Sequence, residues 1–183
     1  MVSGLPRSGT SLMMQMLAAG GMPILTDGAR AADQHNPRGY FELEAVKCTA
    51  TDQTWLDTAS GKAVKVIHLL LRDLPPRFEY RVLLMRRDMN EVLASQRAML
   101  EPLGRTGAAL SDDSLAAIYA SQLQCIKEWM LARPWFRVLE VDYAACVYRA
   151  AQTAARVSEF LELPLDCNAM AKAVDPSLHR QRG

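Results

Sequence analysis

The sequence predicts an α/β fold: a parallel β-sheet of about five strands flanked by helices on both faces. Three observations point there. Short apolar runs alternate with stretches of helical periodicity, the first run passes through a glycine-rich turn into a helix, and no repeats or low-complexity tracts break the pattern. Residues 1–4 (MVSG) read as a short strand, and 11–19 (SLMMQMLAA) as the helix after the turn, closed by Gly20-Gly21. MPILT (22–26) reads as a second strand. AVKVIH (63–68), YRVLLMR (80–86) and FRVLEVDY (136–143) are β-rich runs bounded by Gly, Pro or charge. Helical spacing marks 90–101 through Val92, Leu93, Gln96 and Leu100. It marks 111–132 through Leu115, Tyr119, Leu123, Ile126 and Met130, with Ser111 as N-cap and two acids in the first turn. A last amphipathic helix, 148–163, stops at Pro164. Ligands in such folds bind outside the carboxyl ends of the strands, and every motif below falls at or just past one.

Composition narrows the function. At 183 residues a single domain over 1–183 is expected, able to bury about 70% of its unfolded surface. Lys+Arg of 21 against Asp+Glu of 20 leaves a net charge of +1, so no global field points to nucleic acid or an anionic membrane. An anion site has to be built locally. Four scattered cysteines without C-x-x-C, and only three histidines, give no metal-ligand cluster and suit a reducing compartment. The apolar runs are far below the ~20 residues of a membrane span, and no charged n-region leads into an apolar h-region. A soluble, cytoplasmic protein without a metal is expected; its oligomeric state is not legible.

The stretch GLPRSGTS, Gly4 to Ser11, has nearly the frame of a phosphate-binding P-loop, G-x-x-x-x-G-K-[ST]. Both glycines and the last hydroxyl are in register, but Thr10 stands where the lysine belongs and Arg7 sits inside the loop. A glycine-rich turn between strand and helix aims backbone N–H groups and the positive helix end at an anion. Lacking the lysine that reaches β- and γ-phosphates, the loop suits one phosphate, with Arg7 supplying charge and Ser8, Thr10 and Ser11 hydroxyls. A second constellation follows the run at 80–86: Arg87 at the strand end and Ser95 eight residues on, placed to clamp a second, separate phosphate.

Together, PRSGTS after the first strand and R-x7-S after a later one resemble the sulfotransferase family, whose members use 3′-phosphoadenosine 5′-phosphosulfate (PAPS) and release the 3′,5′-bisphosphate PAP. The arginine in the loop is similar to the protein-tyrosine and bacterial branches. The resemblance implies that Arg7, Ser8, Gly9, Thr10 and Ser11 bind the 5′-phosphosulfate and that Arg87 and Ser95 bind the 3′-phosphate. It also implies that Tyr143 lies near the adenine and that Lys65 contacts the bridging region of the donor. Arg180 and Arg182, in HRQRG, match a basic C-terminal loop at the 3′-phosphate or form a frayed terminus. Departures are Leu12, where a tryptophan often stacks on adenine, and Ala144, where an acid usually follows the tyrosine. A donor with separate 5′ and 3′ phosphates has no need of the Walker lysine.

Sulfuryl transfer to a hydroxyl or amine of a small-molecule or peptide acceptor also calls for a general base. Asp27 ranks first, because it follows the 22–26 run where the tyrosine-sulfating branch places its glutamate. His68 is second: alternation puts it on the face opposite Lys65 in a regular strand, so it serves only if the strand ends there. Glu42 or Glu44, in NPRGYFELE, is third. HNPRGYFE (35–42) reads as a loop over the site mouth, with Arg38 and Tyr40 as acceptor contacts, or as a plain surface crossover. The competing functions are a P-loop kinase or hydrolase, with Asp142 as a weak metal ligand, and a noncatalytic PAP or PAPS sensor.

Overall fold

A computed structural model of the chain describes residues 1–33, 36, 38–100 and 110–178. Four strands, β1 (Val2–Gly4), β2 (Lys65–Ile67), β3 (Tyr80–Arg86) and β4 (Phe136–Asp142), form a wholly parallel sheet in the order β2-β1-β3-β4. The helices are α1 (Thr10–Ala19), α2 (Met89–Leu100), α3 (Asp112–Leu131), α4 (Tyr143–Tyr148), α5 (Ala150–Leu161) and α6 (Cys167–Lys172).

Both faces of the sheet are buried, as parallel strands require. On β3, Val82 and Leu84 enter one core and Leu83 and Met85 the other. The first core lies under α3 and is aromatic: Tyr80 stacks on Phe136 with centroids 5.0 Å apart, and Trp129 tilts against Phe136 at 5.4 Å. The second lies under α1, α5 and α6 and is thioether-rich, gathering Met13, Met14, Met16, Met85 and Met170.

Two expectations need correction. Segment 22–26 is not a full strand: it makes one parallel bridge, Ile24 with Ala63, through Leu25 N–H to the Ala63 carbonyl and Ala63 N–H to the Pro23 carbonyl, each 2.8 Å. Pro23 has no N–H for a ladder, and the Thr26 hydroxyl then bonds the Glu42 carbonyl at 2.7 Å, turning the chain away. The 148–163 helix is present but shorter, as α5, and a break parts it from α4. Asp142 caps α4, accepting from Ala144 and Ala145 N–H, and Arg149 leaves helical geometry (φ −135°, ψ 43°) before α5 begins. The Thr153 hydroxyl ties the two pieces by bonding the Ala145 carbonyl at 3.0 Å.

The strand order reverses direction between β1 and β3. Gly4 lies level with Ile67 on one side and Met85 on the other, so the chains leaving these strands emerge at one edge. The glycine-rich loop after β1 and Arg87 after β3 therefore flank the switch point, where open α/β sheets bind ligands.

Candidate functional site

A cavity of about 210 Å³ opens at that edge. Among the described residues, four cations line it, Arg7, Arg30, Lys65 and Arg87, against two carboxylates, Glu42 and Asp175. A positive site thus exists in a chain of nearly zero net charge.

The glycine-rich loop forms its floor. Gly4 (φ +151°) and Gly9 (φ +98°) take conformations that side chains avoid, and neither has room for one. A Cβ on Gly9 would lie 2.5 Å from Cδ2 of Tyr143, and one on Gly4 would lie 2.9 Å from the Met85 carbonyl. Gly9→Ala is therefore expected to cost about 2–4 kcal/mol in strain and overpacking, lowering the melting midpoint by roughly 5–15 °C in a domain of this size. A calorimetric midpoint within 2 °C of wild type would contradict the packing described.

The first helical bond of α1 runs from Met13 N–H to the Gly9 carbonyl, so the N–H groups of Thr10, Ser11 and Leu12 precede the ladder at the positive helix end. The Thr10 and Ser11 side chains line the cavity. Ser8 does not: its N–H closes the loop onto the Leu5 carbonyl (3.1 Å), and its buried hydroxyl turns in beneath Gly4.

Arg7, held at φ +74°, donates from Nε to the buried Ser95 hydroxyl at 2.9 Å. Burial holds its guanidinium below the usual arginine range. Arg87 donates to the Arg7 carbonyl (3.1 Å) and to Glu91 (2.8 Å), with its guanidinium 4.3 Å above the Tyr143 ring. Gln96 bonds the Pro6 carbonyl at 3.1 Å. The structure thus brings Arg7, Arg87, Ser95 and Tyr143 together as one cluster. Burial raises the Tyr143 phenol above its ordinary value.

A second cluster gathers around Tyr40 and Glu42, and Arg7 is electrostatically coupled to it as well, through Tyr40, Asp33, Arg30 and Lys65. Lys65 points to the α1 face of the sheet, and its ammonium donates to the Tyr40 carbonyl (3.1 Å), to Ser11 Oγ (3.4 Å) and to Glu42 Oε1 (3.5 Å). Burial lowers its pKa, with Glu42 opposing. Arg30 donates to the same Glu42 oxygen at 3.1 Å and lies 3.4 Å over the Tyr40 ring. The buried Tyr40 donates its hydroxyl to Asp33.

The other base candidates lie elsewhere. Asp27 is exposed and does not line the cavity. Its carboxylate accepts N–H bonds from Glu44 (2.5 Å) and Ala29 (2.9 Å), and these hold its pKa below the ordinary value. Glu44 is exposed and pairs with Lys47. His68 begins the turn after β2, but on the α3 face, buried between the Gly4 carbonyl (3.3 Å) and Gln122 (3.0 Å). Arg38 bonds the Ala173 carbonyl and Asp175, tying 38–40 to the C-terminal segment. Asp142, capping α4, is not a cavity residue. Among the described residues, no cluster of three His, Cys, Asp or Glu is placed to hold a metal, and no helix is long and apolar enough to cross a membrane. Arg180, Arg182 and His35 lie outside the described residues. Arg30 and Gln15 also line the cavity, though no motif marks either. Gln15 had a signal in its i+4 spacing from Ser11; Arg30, in an aperiodic stretch, had none.

The arrangement fits a ligand with two separated anionic groups: a helix N-terminus with Thr10, Ser11 and Lys65 for one, and the Arg7–Arg87–Ser95 cluster for the other. Fold and site together define a nucleotide-binding protein of the P-loop class whose loop lacks the Walker lysine. Residues 1–180 match the family model for the sulfotransferase domain, and the chain belongs to that family, enzymes that move a sulfuryl group from PAPS and release PAP. No curated protein and no solved structure gives a match.

Proposed function

We propose that this sulfotransferase holds the 5′-phosphosulfate at the α1 N-terminus and the 3′-phosphate between Arg87, Ser95 and Arg7, with Glu42 as general base. The observation that carries this reading is that two groups of cations line one cavity, Arg87 beside Ser95 and Lys65 beside Arg30, with Arg7 bonded to Ser95 and electrostatically in reach of both. It gives Arg7 a different role from the one its motif position implies, since its Nε bonds Ser95, which stands on the 3′ side.

PAPS supplies the activated sulfuryl group. The chain's residues do the rest. Thr10, Ser11 and the first α1 amides bind and orient the 5′-phosphate, and Lys65 offsets negative charge as the bridging bond breaks. Glu42, beside Lys65 in the cavity, takes the proton of an attacking hydroxyl or amine. The new bond forms from acceptor to sulfur, the old S–O bond breaks, and its electron pair stays on the departing phosphate. Asp27 and His68 are not assigned this role, because one is spent on a turn and the other is sealed on the opposite face.

The loop arginine favours the protein-tyrosine and bacterial branch. The match over 1–180 supports a single domain, and the described cysteines, all free, support a cytoplasmic location. The acceptor is a small molecule or a peptide.

Melting with ligands tests the assignment. A ligand of the folded state adds about 2.7 kcal/mol at a hundredfold excess over Kd, so saturating PAP is expected to raise the midpoint by roughly 5–10 °C without Mg²⁺. ATP, which has no 3′-phosphate, is expected to do little with or without the metal. A larger shift from ATP plus Mg²⁺ than from PAP overturns this reading in favour of a kinase or hydrolase.

A further inference from the structure

We propose that Gln15 reads the base of the donor and sets the preference for adenine over guanine; the inference rests on the placement of the two phosphates given above. Leu12 and Gln15 follow Ser11 on α1 by one and four residues, and both line the cavity. With the phosphates at the loop and at Arg87, and the reacting end at Lys65 and Glu42, the described lining left for the base is Leu12 and Gln15 on α1, Ala98 and Met99 on α2, and Asn36 and Asp175.

None of these described residues is a cation, and Arg38, which bonds Asp175, is engaged on it and on the Ala173 carbonyl. Such a place suits the uncharged part of a nucleotide. Its other polar groups are occupied: Asn36 donates to the Gly39 carbonyl at 2.6 Å, and Asp175 accepts from Ser177 and Arg38. The half-buried Gln15 amide makes no hydrogen bond to any other described residue. It carries one donor side and one acceptor side. Adenine offers a matching pair at N6–H and N7, whereas guanine presents two acceptors there, so the amide satisfies only one of them. Leu12 gives the base an apolar neighbour, which leaves the polar recognition to Gln15.

The experiment is calorimetric titration of wild type, Gln15→Leu and Gln15→Met with PAP and with guanosine 3′,5′-bisphosphate, each variant's folding checked by its melting midpoint. Wild type is expected to bind PAP about 10-fold more tightly than the guanine analogue. Both variants are expected to weaken PAP, with two hydrogen bonds lost, more than the guanine analogue, with one, and so to lose most of the PAP preference. If wild type and both variants prefer PAP by the same ratio, Gln15 does not read the base, while the phosphate placement stands. If wild type binds PAP no better than adenosine 5′-monophosphate, the phosphate placement fails and the inference falls with it.

Discussion

Glu42→Gln is expected to reduce sulfuryl transfer by about 10²–10⁴-fold, the scale of a lost general base, without weakening PAP binding. Glu42 lies within 3.5 Å of the Lys65 ammonium and 3.1 Å of Arg30, in the cavity that holds the phosphate loop. Asp175 also lines the cavity, but its oxygens are taken by Ser177 and Arg38. Removing the Glu42 charge leaves two cations less compensated, which favours a bound bisphosphate and makes a simultaneous loss of PAP affinity unexpected. Asp27→Asn is the control, because its carboxylate serves two backbone N–H groups outside the cavity. Release of PAP from PAPS with a productive acceptor measures the rate, and calorimetry measures PAP affinity. Transfer lost in Asp27→Asn but kept in Glu42→Gln would show that the base had been misassigned.

Arg87→Ala is expected to weaken PAP by about 10–100-fold, the worth of one or two charge-assisted hydrogen bonds, while leaving adenosine 5′-monophosphate within a few-fold of wild type. The selectivity matters more than the size, since Arg87 also supports the Arg7 carbonyl and pairs with Glu91. General disruption would weaken both nucleotides together. Arg7→Ala is expected to follow the same pattern, because its guanidinium bonds Ser95 at 2.9 Å and belongs to the same cluster. Titration of both nucleotides into both variants decides it. A loss of monophosphate binding in Arg7→Ala equal to the loss of PAP would return Arg7 to the 5′ side, where its place in the loop motif alone would put it.

Local patterns made much of the fold legible. A strand, a glycine-rich turn and a helix leave their marks within twenty residues, and the family follows from GLPRSGTS with R-x7-S. Alternation along 63–68 also separates Lys65 from His68, and the structure puts them on opposite faces of the sheet. The carboxylate beside Lys65 was harder to choose. Residues 26–44 lack periodicity, and what joins the two ends of this stretch is bonds between them: Thr26 to the Glu42 carbonyl, Asp27 to Glu44 N–H. Position along the chain favours Asp27, directly after an apolar run, whereas the folded path brings Glu42 into the cavity. The break at Arg149 and the single bridge at Ile24 were hidden for a similar reason. Each depends on what the backbone meets in space, not on the apolar pattern.

The two sides of the sheet also differ in how firmly they specify shape. Beneath α3, rings with few rotamers fix one another's angles, so a change of volume there has nowhere to go. Beneath α1 the filler is thioether, unbranched and able to refit around a changed neighbour. The helix that begins at the phosphate loop thus rests on the softer bedding. Sequence drift of similar bulk is absorbed on that side, and the rigid partner layer keeps the strand edge level for the loops that leave it.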